Sequence, residues 1–259
     1  MEKWKLKFTG AALPGNTAGK DKMEQVYSKG AQYYDRLYAE KDYAGEIQRL
    51  ISLLEISPGP ENITLLDIAC GTGLHIEFLK NHFHVEGLDI CSELLDIARK
   101  RHPDVEFHLG DMADFTLGRQ YDLITCLFSS IGYVKTLNNL DHTLRNMVKH
   151  LKPQGLLVIE PWFTPENWHP NTVHGLYIDE PQLKIARINT SFVEDRISIF
   201  DLHHLIGTPE GTEHIVEHHE MGLFETHEIT ALMKKAGLSV TYHAEGLTGR
   251  GLFVCRKME

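Results

Sequence analysis

Residues Leu65 to Leu74 read Leu-Leu-Asp-Ile-Ala-Cys-Gly-Thr-Gly-Leu, an apolar strand that ends in a glycine-rich turn and runs into a helix. Glycines at such a turn let the backbone approach a ligand where any side chain would collide. Asp67 lies on the strand just before the turn, and Asp89 closes a second apolar run, Val85-Glu86-Gly87-Leu88-Asp89. Two carboxylates beside a bare turn describe a nucleoside-type cofactor site. From this point on, strand and helix patterns alternate, which means a parallel sheet in an α/β domain.

What the turn lacks narrows the cofactor. A dinucleotide fingerprint wants a third glycine three residues after Gly73, where helix and strand pack closely beside a pyrophosphate. That position is Ile76. An acid inside the first strand also repels a pyrophosphate, whereas it accepts hydrogen bonds from an amino-acid ammonium. Asp67 therefore favours S-adenosylmethionine over NAD.

At 259 residues the chain is long enough for one large α/β domain plus an insertion. Its 36 Asp and Glu against 26 Lys and Arg disfavour a nucleic-acid partner, because affinity for a phosphate backbone comes from basic side chains that displace counterions. Cys70, Cys91, Cys126 and Cys255 lie at strand ends or in apolar runs without C-x-x-C spacing, which reads as packed, reduced thiols. The first residues, Met-Glu-Lys-Trp-Lys-Leu-Lys, carry no apolar core of a signal peptide, and no run reaches about 18 apolar residues. A cytoplasmic protein without membrane contact is expected.

The pattern predicts a flexible leader over 1–22, then a helical stretch with Tyr27, Tyr33, Tyr34, Tyr38 and Tyr43. Next come strand 64–69, helix 72–81, strand 84–89, helix 92–101 capped by Ser92, strand 105–109 and strand 121–127. A helix over 137–151, stopped by Pro153 and Gly155, leads to a strand over 155–160. Between 161 and 224 the runs turn β-like around Gly207-Thr208-Pro209-Glu210-Gly211, predicting an antiparallel β insertion that hangs over the cofactor mouth. A helix capped by Thr226 and strands over 238–243 and 251–255 complete the chain. Segments 23–160 and 225–259 together form the cofactor-binding domain in this reading.

The pattern Asp67-x-x-x-Gly71-Thr72-Gly73, with Asp89 at the next strand end and Gly110-Asp111-Met112 after the third, resembles the class I S-adenosylmethionine-dependent methyltransferases. Further blocks sharpen the likeness: Tyr34-Asp35-Arg36-Leu37-Tyr38, Lys41-Asp42-Tyr43-Ala44, Phe128-Ser129-Ser130-Ile131-Gly132-Tyr133, Glu160-Pro161-Trp162 and Gly249-Arg250-Gly251-Leu252-Phe253. From about residue 27 to the end the chain resembles the nucleotide-aminosugar N,N-dimethyltransferases of macrolide antibiotic biosynthesis, of the desosamine and mycaminose type. The resemblance implies a Rossmann-like seven-stranded sheet, S-adenosylmethionine as cofactor, and a dTDP-linked 3-amino-3,6-dideoxyhexose methylated twice on nitrogen. It implies that Tyr43, Ala69, Asp89, Asp111, Met112 and Leu127 contact the cofactor, together with Asp67, Gly71 and Gly73 of the turn. It implies that Tyr34, Lys41, Glu160, Trp162 and Arg250 face the sugar nucleotide, and that two subunits pair through the inserted sheet.

The residue types suit that chemistry. A guanidinium held between two glycines matches a diphosphate in fork geometry, although Arg250 also reads as a solvated turn arginine. Trp162 and Tyr34 offer flat faces to a sugar or thymine ring. The fourth strand is not followed by Asn/Asp-Pro-Pro-Tyr, which disfavours nucleobase or glutamine amines, and Cys126 lacks the preceding proline of a cytosine-attacking thiol. Tyr133 is the candidate for contacting the amine and Glu160 for positioning a hydroxyl or ammonium, with no dedicated base expected. His214-Ile215-Val216-Glu217-His218 matches a zinc-protease pattern in form, but its β-branched centre predicts a strand, and no metal is expected. A small amine, an amino acid or a peptide N-terminus remains an alternative acceptor, and a non-catalytic cofactor-binding module an outside one.

Overall fold

The computed structural model describes residues 30–54 and 63–258; the expected leader and Tyr27 lie outside them. Among the described residues, two helices, α1 (Ala31–Leu37) and α2 (Tyr43–Leu54), precede β1 (Thr64–Ile68), α3 (Ile76–Leu79), β2 (His84–Asp89), α4 (Ser92–Arg101), β3 (Glu106–Leu109) and β4 (Tyr121–Cys126). A 3₁₀ helix (Ser130–Val134), α5 (Leu137–Lys149) and β5 (Leu151–Ile159) follow. The chain then forms β6 (Val173–Glu180), β7 (Leu183–Glu194), β8 (Ile197–Thr208) and β9 (Gly211–Gly222), and returns through α6 (Thr226–Lys235), β10 (Leu238–His243) and β11 (Leu252–Lys257).

The strands make a seven-stranded sheet in the order β10-β11-β5-β4-β1-β2-β3 and a separate four-stranded sheet β6-β7-β8-β9. Pairing is parallel from β5 through β3, and antiparallel where β11 joins β5 and β10. The fold is thus Rossmann-like, with an antiparallel β insertion after the fifth strand. The strand period of two divides the core between the faces of the large sheet. Leu66 and Ile68 pack with Leu140 and Leu144 of α5 and Met233 of α6. Leu65 packs on the other face with Leu50 of α2 and Leu95 of α4. Asp67, two residues from Leu65, shares that second face, so its carboxylate is driven under the helices that follow the turn.

Several boundaries differ from the sequence reading for identifiable reasons. The helix expected over 72–81 shrinks to Ile76–Leu79, because Gly71 and Gly73 take left-handed φ of 56° and 79° and keep 72–75 in turns. Cys91, not Ser92, is the cap of α4, since its N–H is held by the Asp89 carboxylate at 2.8 Å while the Ser92 hydroxyl bonds Glu93. Glu225, not Thr226, caps α6, in a reciprocal capping box with Glu228. β5 begins at Leu151, with Pro153 accommodated where the register against β4 slips. The segment His214 to His218 is strand, part of β9, as its β-branched centre predicts.

The inserted sheet is anchored over the carboxyl ends of the large sheet. Leu37 of α1 packs with Ile185, Ile206 and Ile215 of the insertion, while Ala31 packs with Cys91 and Leu94 on the α4 side. Gly132 permits a close approach between the layers: a Cβ there would lie 2.8 Å from the Met221 Cε and 3.0 Å from the Trp162 Cβ.

Candidate functional site

Tyr34, Tyr43, Asp67, Ala69, Cys70, Gly71, Thr72, His75, Leu127, Phe128 and Ser130 surround one cavity at the carboxyl ends of β1 and β4. The backbone there is under tension. Ala69, Phe128 and Ser129 adopt φ of 58°, 51° and 62°, a region non-glycine residues rarely enter and that recurs at ligand sites. Gly71 has open space where a Cβ would sit, so its backbone faces the cavity bare.

Asp67 is almost fully buried and accepts a hydrogen bond from the Thr125 hydroxyl at 2.8 Å. Burial pushes its carboxyl up to about 6, against the opposing influence of His75 and Thr125. Asp89 accepts from the N–H groups of Gly71 and Cys91, each at 2.8 Å, and burial raises it as well. Behind the turn, the Glu46 carboxylate receives both Lys41 and His75, the latter at 2.9 Å. Burial would raise Glu46, but those two partners hold it below the ordinary carboxylate range. Asp35 of α1 ties the Thr72 hydroxyl at 2.6 Å and also pairs with Arg101, latching α1 to the glycine-rich turn. Two adjacent buried carboxylates and two tyrosine faces suit a positively charged nucleoside, because each carboxylate regains by pairing what burial costs it.

A second group of side chains lies outward from this cavity around Phe128. The Lys41 ammonium sits 4.8 Å from the Phe128 ring centre, and the Arg250 guanidinium lies 5.6 Å from the same ring. Arg250 also lies 5.7 Å from the rings of both Trp162 and Phe163 and donates to the Ser129 hydroxyl at 2.7 Å. Trp162 is braced by Phe163, Trp168 and Phe200, and its indole N–H donates to Ser198 at 2.9 Å. Glu160 is fully buried: it accepts the Phe128 N–H at 2.7 Å and the Thr248 hydroxyl. Its carboxylate therefore holds the strained loop after β4 to the segment that carries Arg250.

The expected residues thus separate into places. Tyr43, Asp67, Ala69, Gly71 and Leu127 line the cavity, and Asp89 braces its turn. Gly73 shapes the turn from behind, where a Cβ would lie 2.9 Å from the His102 ring. Asp111 and Met112 follow β3; the Asp111 carboxylate accepts the Ala113 N–H, and Met112 joins the core beside Leu88. Tyr34 lies on the same cavity wall as the cofactor residues rather than apart from them. Lys41 and Arg250 come together at Phe128, and Trp162 lies against Arg250. Tyr133 belongs to the adjoining 3₁₀ helix and bonds His219 at 2.8 Å. Burial raises the Tyr34 hydroxyl, and nearby Tyr133 adds to that rise. His75, Glu46 and Phe200 carry no assignment in the sequence, Phe128 enters only through its resemblance block, and His219 only as one of the insertion's strand histidines, some of them expected at the substrate mouth or a subunit contact. Only His75, one residue past the Gly-Thr-Gly-Leu turn, was signalled by its position. All four cysteines are buried and free, and burial raises the thiols of Cys91 and Cys255 to about 12.

Known proteins share this fold. Residues 65–155 match the family model described as a methyltransferase domain. The chain is 38% identical over 227 residues to dTDP-3-amino-3,6-dideoxy-alpha-D-glucopyranose N,N-dimethyltransferase of Streptomyces fradiae, covering 86% of this chain and 89% of that protein. The crystal structure of Streptomyces venezuelae DesVI superposes with a TM-score of 0.81 at 37% identity, covering 89% of this chain and 98% of that one. The structure of S-adenosylmethionine-bound CalS10, an amino pentose methyltransferase from Micromonospora echinaspora, superposes with a TM-score of 0.76 at 33% identity, over 89% and 96% of the two chains.

Proposed function

Because the chain belongs to the S-adenosylmethionine-dependent N,N-dimethyltransferases of nucleotide-linked aminosugars, we propose that it dimethylates the amino group of a dTDP-linked 3-amino-3,6-dideoxyhexose. The observation that carries this acceptor is the setting of Arg250. A guanidinium flanked by three aromatic rings, with the Glu46-paired Lys41 ammonium also against the Phe128 ring, provides cationic groups for a diphosphate and flat faces for the rings it joins. A small amine or amino acid would leave the Arg250 guanidinium without an anion, because Lys41 is already paired with Glu46.

Bound S-adenosylmethionine supplies an electrophilic methyl group on a sulfonium. Asp67 is the residue to receive its ammonium, with Asp89 at the nucleoside end and Tyr43, Ala69 and Leu127 along the walls. Asp111 and Met112 follow the family role at the adenine edge. Lys41, Trp162 and Arg250 hold the sugar nucleotide, and Glu160 acts by fixing the loop between the two ligands. Transfer is an in-line displacement, so the protein's chief task is alignment, worth about 7 to 11 kcal/mol when two reactants are held in attack geometry. The attacking amine must be neutral, and a closed cleft lowers an alkylammonium pKa by desolvation. Tyr133→Phe is accordingly expected to retain more than a tenth of kcat at the pH optimum; a loss of several orders of magnitude in steady-state assays would refute alignment as the main source of rate.

In this reading 1–22 is a leader, 23–160 with 225–259 binds the cofactor, and 161–224 is substrate lid and dimer contact in a cytoplasmic homodimer of antibiotic biosynthesis. Support for the dimer comes from the outer face of the inserted sheet, where Tyr177, Ile188, Leu205 and Val216 are exposed. Among the described residues no helix is long and apolar enough to cross a membrane. Thermal shift tests the acceptor: S-adenosylhomocysteine and dTDP should each raise Tm, and together at least additively. No response to any thymidine nucleotide would transfer the assignment to a small amine.

A further inference from the structure

The inserted sheet carries a buried polar chain that folding alone does not require. The Tyr133 hydroxyl meets His219 Nδ1 at 2.8 Å, His219 Nε2 lies 3.8 Å from the Glu217 carboxylate, and His204 Nε2 lies 3.2 Å from the same oxygen. His219, Glu217 and His204 are 2%, 5% and 1% exposed. His219 is further fixed by stacking on Phe200, with rings 4.9 Å apart and 7° from parallel. Apolar side chains would fill this space at less desolvation cost, so a carboxylate flanked by two imidazoles is a poor device for packing. The chain ends at Tyr133, which lies near Tyr34 of the cavity wall.

We propose that Tyr133, His219 and Glu217 form a proton exit from the acceptor amine. The inference rests on the aminosugar reading and deepens it. An aminosugar enters mainly as an ammonium and must lose a proton before its nitrogen can attack. Tyr133 Oη accepts that proton as its own hydroxyl proton passes to Nδ1 of a neutral His219, leaving a neutral amine and an imidazolium beside ionised Glu217. The amine lone pair then forms the N–C bond while the C–S electrons return to sulfur. The methylated product is again an ammonium, so a second methylation needs a second proton removal along the same path. His219 and Glu217 act through Tyr133 and are positioning residues.

Charges around the chain fit this direction of transfer. Burial lowers His219 and favours its neutral, accepting form. Burial would raise Glu217, but the hydrogen bond with His204 and the nearby His219 ring hold it below the ordinary carboxylate range. Other titratable or charged groups facing the chain among the described residues include His218 on β9, which is paired with Asp201 and Glu220, Tyr34 of α1 beside Tyr133, and Tyr38 of α1 with Arg187 of β7 behind it.

Rates from pH 6 to 9.5 with S-adenosylmethionine and a dTDP-aminosugar test the proposal in Tyr133→Phe, His219→Asn and Glu217→Gln. An asparagine amide in place of His219 can bond the tyrosine hydroxyl but cannot carry its proton. Each variant is expected to lose about five- to tenfold in kcat at pH 6.5, with the deficit shrinking to about threefold or less at pH 9. The S-adenosylhomocysteine thermal shift should stay intact. An equal loss at every pH, or three wild-type profiles, overturns the exit; should Glu217→Gln fail to fold, the other two variants decide. A wild-type enzyme that methylates no nucleotide-linked aminosugar would remove the acceptor reading and this one together.

Discussion

Asp67→Asn should abolish cofactor binding and at the same time make the protein more stable. The carboxyl is raised from an ordinary 3.8 to about 6 by burial. The folded protein therefore holds this proton more tightly than the unfolded chain does. Below about pH 4 both states are protonated and burial of the group costs little. As pH rises from about 4 to 6 the unfolded carboxyl ionises first, and stability falls by roughly 3 kcal/mol before levelling off. The amide removes that decline and still accepts the Thr125 hydroxyl. For a chain of this size the gain corresponds to about 5 to 10 °C in Tm at pH 7.5, vanishing near pH 4.

The affinity for S-adenosylhomocysteine should fall about a hundredfold or more, because a neutral amide cannot neutralise the ligand's ammonium in a buried site. For the wild type, affinity should weaken as pH drops through about 6. Calorimetry of both proteins at pH 7.5, with melts at pH 4.5 and 7.5, checks both halves. If Asp67→Asn binds within tenfold of wild type, the ammonium is held elsewhere.

The second large effect is expected at Arg250. Arg250→Ala should lower kcat/KM for the sugar nucleotide about 10²- to 10³-fold, equivalent to roughly 3 to 4 kcal/mol, and leave S-adenosylhomocysteine affinity within threefold. Two losses combine. The diphosphate loses a forked donor, and the Ser129 hydroxyl, on a residue already at φ 62°, loses its hydrogen-bond donor at 2.7 Å. Arg250→Lys should recover little, because a point charge neither forks to two oxygens nor stacks among Phe128, Trp162 and Phe163. A solvated turn arginine would give a change below threefold in the same assay.

Much of the cofactor half was legible because its determinants are local. An apolar strand, a turn that only glycines fit, and an acid at a fixed offset are consecutive in the chain, and the strand period places Asp67 beneath the helices. The likeness to known methyltransferases added the second and third strand ends, which follow at regular spacing. Local chemistry also explains the misread boundaries. Asp89 reaches past its own strand to hold the Cys91 N–H, and Glu225 with Glu228 closes a reciprocal box; a scan for Ser and Thr caps finds neither.

The outer site was legible only in part. Arg250, Trp162 and Lys41 stood out as residue types, but nothing in the sequence says that Arg250 and Lys41 share the Phe128 ring while Trp162 lies against Arg250. Glu160 was assigned to the sugar, and the fold shows both its oxygens engaged by Phe128 and Thr248. The histidines of the insertion were recognised as strand residues, yet which of them face inward depends on the register of β8 against β9.

The sequence by itself determined the parallel sheet, the cofactor turn with Asp67 and Asp89, and the inserted strands, because hydrophobic period and turn chemistry act over a few residues. The tertiary structure alone decided that α1 lies between α4 and the insertion, that Lys41 and Arg250 both approach the Phe128 ring, and that Tyr133 meets His219. The Tyr133–His219 bond alone spans 86 positions of the chain. Only packing of the inserted sheet onto the 3₁₀ helix and α1 brings such distant groups within hydrogen-bonding reach.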